Sequence, residues 1–544
     1  MRFLFMRSPC AAALLFALLF VPQEGFAQQR ERQREQQQEQ RPNVLLIVVD
    51  DLNDYLSTPG FRGHPQARTP HIDRLAASGV SFTRAYSNNP ICAPSRASMF
   101  TGIYPHESGN FDWDTWYEQD VLKNSKTMMT YFDDHGYHVA GTGKIMHHPL
   151  EAIWDDWGVD VYKYGPLAFD GQNVTGHSSV PPPVRYDPFF GGIAPLSDVP
   201  YAGKATPDSV YTGYVNSFAG AEEPFHYESP TDRDLTPDER YARWAEEKLR
   251  ALERRDAKRP FFMGVGFVRP HTPLYAPKKY FEQFPLEDIE LPVIMPEDRR
   301  DTYFETAFSR DASGLKNFRE TKAAYDSVAH GLKHRLQGYL ACTAFVDDQI
   351  GRVLQALNES KFRDNTVVVL TSDHGYHLGE KDYLFKDSPW EESTRVPLII
   401  RAPGVSEAGA QVGHPVSLID VYPTLKDLAG LDGPTMKNEN GKPLDGHSLT
   451  PFLRDPDDPS WSGPDGALSV LYGETTQEDI YEQTYTYRTR DWRYVRYHNG
   501  AEELYNHVGD PYEWHNEAAD KRFYEVKERL REEMMRLIEE EVKR

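Results

Sequence analysis

Val44-Leu45-Leu46-Ile47-Val48-Val49 is an unbroken run of β-branched and aliphatic residues that stops abruptly at Asp50-Asp51-Leu52-Asn53. A strand with one solvated face alternates apolar and polar residues. A run with no polar position has both faces covered, the condition of a parallel strand inside an α/β sheet. Thr366-Val367-Val368-Val369-Leu370 repeats the pattern and leads into Ser372-Asp373-His374-Gly375. Open sheets of this kind bind ligands outside the carboxyl ends of their strands. Adjacent carboxylates at such an edge repel each other unless a cation or basic group lies between them. Asp50 and Asp51 therefore read as part of a hard-cation site, and Asp373 with His374 as a metal or acid–base pair.

Other segments deliver polar groups in the same way. Phe261 to Phe267 is a strand ending in Arg269-Pro270-His271-Thr272-Pro273, and Val396 to Ile400 is another. His138 to Gly143 is a short strand closing in a glycine turn before Lys144, with His147 and His148 following. The Gly-x-Gly-Lys order there lacks the spacing and the trailing Ser or Thr of a phosphate loop. Thr69-Pro70 opens a helix with a capping residue and stops at Gly79, and Thr236-Pro237-Asp238-Glu239 is a capping box ahead of Tyr241, Trp244, Ala245, Leu249 and Leu252. Cys342 falls among Leu340, Phe345, Val346, Ile350, Val353 and Leu354 at helical spacing, a core position.

Tyr162 to Pro230 has no clear period and reads as a functional loop that shapes substrate choice. Tyr104 to Tyr117, with His106, Asp112, Trp113, Asp114 and Trp116, suits a sugar-binding rim, or simple packing. Beyond about residue 456 the pattern changes. Tyr485, Tyr487, Trp492, Tyr494, Val495 and Tyr497 alternate, Asn499-Gly500 is a hairpin turn, and Phe523, Val526, Leu530, Met534 and Leu537 form one helical stripe. A main domain over 42–455 and a small α+β subdomain with an antiparallel sheet over 456–544 are expected, in keeping with a 544-residue chain.

Residues 1–27 read as a cleaved signal peptide. Arg2 and Arg7 precede the apolar run Cys10 to Val21, and Gly25-Phe26-Ala27 offers small residues for cleavage. Export to a periplasm or the medium follows, with no membrane span elsewhere. Residues 28–41, mostly Gln, Arg and Glu, form a disordered tether. Removal of the signal leaves two cysteines, Cys92 and Cys342, which excludes a disulfide scaffold. A formal net charge of −23 argues against nucleic acid as a partner, because phosphate backbones select basic surfaces.

Cys92-Ala93-Pro94-Ser95-Arg96 stands between Asn88-Asn89-Pro90-Ile91 and a stop at Gly102. Pro94 suits a first helical position and Gly102 a helix end, so a loop would deliver Cys92 to the mouth of a short helix. Arg96 has the wrong sign for the first turn of a helix, a mismatch that a bound anion would repair.

The pentapeptide resembles the C-x-P-S-R signature of the type I sulfatases. The Lys144/His147 spacing, the Arg-Pro-His-Thr-Pro segment and Ser-Asp-His-Gly with Lys386 downstream resemble the iduronate-2-sulfatase-like branch. That resemblance implies an alkaline-phosphatase-like α/β sandwich with a large, mostly parallel sheet flanked by helices. It implies that Cys92 is converted to formylglycine (3-oxoalanine) by a formylglycine-generating enzyme. Asp50, Asp51, Asp373, His374 and the modified Cys92 would hold Ca²⁺, with Mg²⁺ the alternative. Arg96, Lys144 and Lys386 would ring the sulfate, Asp373 would accept the nucleophile's proton, His271 would protonate the leaving oxygen, and His147 would take the proton of the second hydroxyl. The implied substrate is a sulfated glycan, with exo action on 2-O-sulfated uronic acid or a related algal or host unit. Lys381 to Phe385 and the rim loops depart from that branch, which leaves the sugar open. The rivals are a phosphodiester or phosphonate monoester hydrolase of the same superfamily and an inactive protein that binds sulfated glycans.

Overall fold

The strand Asn43–Val49 divides its side chains between two hydrophobic layers, which explains why its run has no polar position. Val44, Leu46 and Val48 face one layer, with Phe82, Met99, Phe100, Phe132 and Leu425. Leu45, Ile47 and Val49 face the other, with Ile72, Leu75, Tyr241, Leu249, Ile350 and Val353. The structure is a computed structural model and describes residues 41–159, 164–202, 211–216, 223–254, 259–308, 312–472 and 479–542. The signal segment, and the tether but for its last residue, lie outside the described residues. Among the described residues no helix is long and apolar enough to cross a membrane.

The central sheet runs in the order Ala410–Val412, Val80–Tyr86, Arg395–Arg401, Thr366–Ser372, Asn43–Val49, Phe261–Phe267, His138–Gly143, Asp156–Trp157. Asn43–Val49 pairs in parallel with Thr366–Ser372 and with Phe261–Phe267, and Phe261–Phe267 in parallel with His138–Gly143. Arg395–Arg401 runs antiparallel to both of its neighbours. The sheet is mostly parallel, as expected, and helices cover both faces. Four adjacent parallel strands therefore end at one edge, and that edge gathers the polar groups that follow them.

Close approach at that edge depends on glycine. A Cβ on Gly266 would lie 2.0 Å from the backbone of Lys144 and Ile145, and Gly143 holds a φ of +70°. The chain leaving His138–Gly143 can thus cross the neighbouring strand and present Lys144 over it.

Three local expectations change. The helix over Cys92–Thr101 starts at Cys92 itself, with extended Ile91 as its cap, so Pro94 occupies the third position rather than the first. Thr69 makes no side-chain cap for Pro70–Ser78. Asp347 of the long helix Val328–Glu359 accepts from the His71 and Ile72 N–H groups at 3.0 and 2.9 Å in its place. The stretch after Tyr162 is not wholly irregular: Leu167–Phe169, Val174–Thr175, Gly213–Val215 and Pro224–Phe225 form a small sheet, and Ile193–Pro195 pairs with Leu274–Ala276. Strands of two or three residues are too short to show a period.

The C-terminal part is a four-stranded antiparallel sheet, Gly466–Leu471, Thr484–Thr489, Trp492–Arg496 and Glu502–Asn506, with the helix Tyr524–Val542 on one face through Leu530, Met534 and Ile538. On the other face Val495, Tyr497 and Tyr505 pack on Trp390 and Tyr383. Ions cross this contact. Arg493 is fully buried, pairs with Glu513 and Glu391, and donates to the Pro389 carbonyl at 2.9 Å. The Glu391 N–H donates to Glu513 at 3.0 Å, and the Trp390 indole to Glu503 at 3.0 Å. The segment just after Lys386 is thus held by the C-terminal sheet.

Removing one member of a buried ion pair leaves its partner uncompensated, at a cost of about 3–5 kcal/mol. Arg493→Met should therefore lower the denaturation midpoint by a corresponding amount. A midpoint within experimental error of the parent would show that the network is not needed for stability.

Candidate active site

Cys92 is the first residue of a helix that is buried along its whole length. Its Sγ lies 3.2 Å from His374 Nε2 and 2.8 Å from Lys386 Nζ. The ligand atoms of Asp50, Cys92, Asp373 and His374 fall within 4.8 Å of one another, as do those of Asp50, Asp51, Cys92 and His271. Residues from five separate segments thus meet at one point, the carboxyl edge of the parallel strands.

The charges there are matched in pairs. Arg96 Nε donates to Asp373 Oδ2 at 2.8 Å and Nη2 lies 3.5 Å from Asp50 Oδ1. Lys144 Nζ bonds Asp50, and Lys386 Nζ bonds Asp51 at 2.7 Å. Arg96 thus finds its countercharge in two aspartates. The charges act on the acids unequally. Burial opposes ionisation of Asp50, but Lys144, His271, Lys386 and Arg96 hold it well below the usual carboxylate range. Burial pushes Asp51 up to about 7 against the pull of Lys386, and Asp373 up to about 6 against the pull of Arg96. Burial, then Asp50, push the Cys92 thiol up to about 12, so at neutral pH it is protonated and a weak nucleophile.

The imidazoles are neutral and oriented. His374 Nδ1 lies 2.9 Å from the Gly375 carbonyl, which can only accept; the ring proton therefore sits on Nδ1 and the Nε2 lone pair faces Cys92. His271 is fixed in the same sense by the Thr272 carbonyl at 2.6 Å. Burial drives both well below the usual histidine range. His147 stands further out, half-buried, with its ring 4.9 Å from that of Trp113. Burial and then Lys144 bring it down to about 2. All ten expected residues are therefore at this edge, nine in the cluster and His147 at its rim.

Several supports were not anticipated. Tyr339, from the long helix, donates to the Asp51 carbonyl at 2.7 Å and accepts from the Asn53 N–H at 2.8 Å, bracing Asp51 at a φ of +60°. The Tyr164 ring lies 4.8 Å from Lys144 Nζ and 5.0 Å from the His271 ring. Arg269 fixes the Tyr164 and Gly165 carbonyls at 3.1 and 3.2 Å. Nothing in the neighbouring sequence of Tyr339 or Tyr164 marks them, whereas Arg269 stood beside an expected residue.

The residues present fit a divalent cation. Asp50 Oδ1 is buried with no hydrogen-bond partner. Three carboxylates converge, two of them raised by burial, and His374 turns a lone pair inward. Oxygen-rich donors of this type suit a hard cation. Arg96 Nη2, likewise buried without a hydrogen-bond partner, is free to bind an anion beside it.

A buried cysteine, an acid cluster that could hold a cation and three basic side chains are what a hydrolase of anionic esters needs. The sulfatase family model matches residues 42–431, and the model described as N-sulphoglucosamine sulphohydrolase, C-terminal, matches 379–540. A sulfatase of Formosa agariphila is 32% identical, covering 89% of this chain and 84% of its own. Iduronate 2-sulfatase of Mus musculus is 27% identical, covering 72% of this chain and 69% of its own. Among solved structures, the phosphonate monoester hydrolase of Agrobacterium radiobacter superposes with a TM-score of 0.66 at 23% identity, covering 92% of this chain and 96% of its own, a likeness of fold alone. The chain belongs to the sulfatase family and is a sulfuric ester hydrolase.

A cation that binds the folded state and not the unfolded one raises stability by mass action, about 2.7 kcal/mol at a hundred times its Kd. Adding Ca²⁺ or Mg²⁺ to chelator-treated protein should raise its melting temperature, and Asp50→Asn should abolish the rise. An equal rise in the variant would place the binding site elsewhere.

Proposed function

We propose that the enzyme removes sulfate from a sulfated glycan, acting at a chain end on 2-O-sulfated uronic acid or a related unit. The observation that carries this reading is the convergence of Cys92 with three carboxylates and three basic side chains at one edge of the sheet. Two similar proteins favour a glycan: an ulvan-active sulfatase of Formosa agariphila, 27% identical over 88% of this chain and 77% of its own, and the iduronate 2-sulfatase above. The N-terminal order of charge, apolar run and small residues supports action outside the cytoplasm, in the periplasm or the medium.

A protonated thiol is a poor nucleophile, so we infer that a formylglycine-generating enzyme converts Cys92 to formylglycine before the enzyme works. That group supplies, as its hydrate, one hydroxyl to attack sulfur and a second whose deprotonation lets sulfate leave. Asp50, Asp51, Asp373 and His374 would hold Ca²⁺, with Mg²⁺ the alternative, and the cation supplies Lewis-acid stabilisation of a sulfate oxygen. Arg96, Lys144 and Lys386 bind the remaining sulfate oxygens and stabilise the charge that builds on them. Asp373 takes the proton of the attacking hydroxyl. His271, neutral in the free enzyme with its Nδ1–H on the Thr272 carbonyl, would take up a proton at Nε2 when the sulfate ester binds and give it to the leaving sugar oxygen, and His147 would take the proton from the second hydroxyl.

Two measurements test this. Peptide mass spectrometry of the Cys92 segment should show the sulfur replaced by an aldehyde oxygen, and Cys92→Ser made in a host that matures only cysteine should lose multiple turnover. Active enzyme with an intact thiol would sink the reading. In a paired assay sulfate esters should outrun phosphate diesters and phosphonate monoesters; the reverse order would favour the phosphoryl-transfer alternative.

His271→Ala should lower kcat on a sugar sulfate by about 10²–10⁴-fold, the usual share of general acid catalysis. Aryl sulfates with an acidic leaving phenol should lose far less. An equal loss on both substrates would remove His271 from that role.

A further inference from the structure

The loop after the Cys92–Thr101 helix is pinned at two points and leaves one large ring outside. Phe111 is fully buried and its carbonyl accepts from Asn89 Nδ2 at 3.2 Å. Trp116 is buried and its indole N–H donates to the His148 carbonyl at 2.9 Å. These bonds tie the loop to the segment entering Cys92 on one side and to the segment leaving Lys144 on the other. Between the two pins Trp113 remains 49% exposed.

A single exposed apolar side chain ordinarily needs no explanation. Trp113 differs in what it touches. Its ring lies against that of His147, at 4.9 Å and 52°, and His147 borders the anion pocket. His147 Nδ1 is itself buried without a hydrogen-bond partner. An aromatic face kept in water therefore stands at the rim, in contact with a residue of the site.

We propose that Trp113 is a stacking platform for a pyranose ring of the substrate, one ring outward from the sulfate pocket, and so determines specificity for glycans; this rests on the function proposed above. A pyranose presents a face of C–H groups edged by hydroxyls. Tryptophan matches that face with a large flat surface at low conformational cost. Because the loop is already pinned, little ordering is lost on binding. No atom of Trp113 joins the chemistry, so its contribution is to binding.

The test uses the full chain and a 2-O-sulfated uronate disaccharide. In a Cys92→Ala background, which does not turn over, calorimetry should show Trp113→Ala weakening the disaccharide's Kd about tenfold or more, and Trp113→Phe recovering most of it. In the matured enzyme Trp113→Ala should raise KM by a similar factor with kcat within about twofold. If the parent binds and hydrolyses the disaccharide while Trp113→Ala leaves Kd and KM unchanged, the platform is overturned and the function stands. A fall in kcat alone, at unchanged KM and not relieved by phenylalanine, would also overturn it, since Trp113 then merely positions His147. If the matured parent hydrolyses aryl sulfates but no member of a sulfated-glycan panel, the glycan reading and the platform fall together.

Discussion

Three carboxylates cannot be buried at one edge of a sheet unless positive charge is brought to meet them. At separations near 4 Å like charges repel by several kcal/mol even at the effective dielectric of a protein surface. Asp50, Asp51 and Asp373 are answered by Arg96, Lys144 and Lys386, and no two of those cations come from the same element. Arg96 rises from the Cys92 helix, Lys144 follows the strand His138–Gly143, and Lys386 hangs on a loop beyond the strand that delivers Asp373. The site is therefore a consequence of topology. Only when four parallel strands end together do the chain segments after them share one small volume.

The same arrangement explains the role of the C-terminal sheet. Lys386 comes from a long connection, and a lysine on a loose loop would pay a large entropic cost to remain buried. Pro389, Trp390 and Glu391, just beyond it, are gripped by Arg493, Glu503 and Glu513, and upstream the Lys381 ammonium donates to the Glu513 carbonyl. The C-terminal unit thus does more than cover apolar surface. It fixes the backbone on both sides of a charged residue that the main sheet does not reach.

Much of this was legible in the sequence where a residue's role depends on its neighbours in the chain. The apolar run from Val44 and the acids after it, the strand before Asp373, and the turn before Lys144 each announce both an element and what it delivers. What could not be read depends on partners far away. Asp347 caps a helix some 276 residues distant in the chain, and Tyr339 braces Asp51 across 288. Gly466–Leu471 lacks the aromatic alternation of the strands beside it and becomes a strand through pairing with Thr484–Thr489. Tyr164 has no local pattern at all; its place over Lys144 and His271 comes from Arg269 holding its carbonyl.

Burial also sorts the site into two tiers with different tasks. Asp50, Asp51, Cys92, Arg96, Lys144, Asp373, His374 and Lys386 are almost wholly sealed from solvent, where electrostatic interactions are strong and side chains do not wander. His271 and His147 are only partly covered, at the boundary where a leaving alcohol must depart and water must enter. In the sealed tier the carboxylates and basic side chains match one for one. A divalent cation held there would make the pocket positive within a chain whose formal charge is −23. The sealed tier thus meets the anion, and the rim is left to decide which sugar brings the sulfate in.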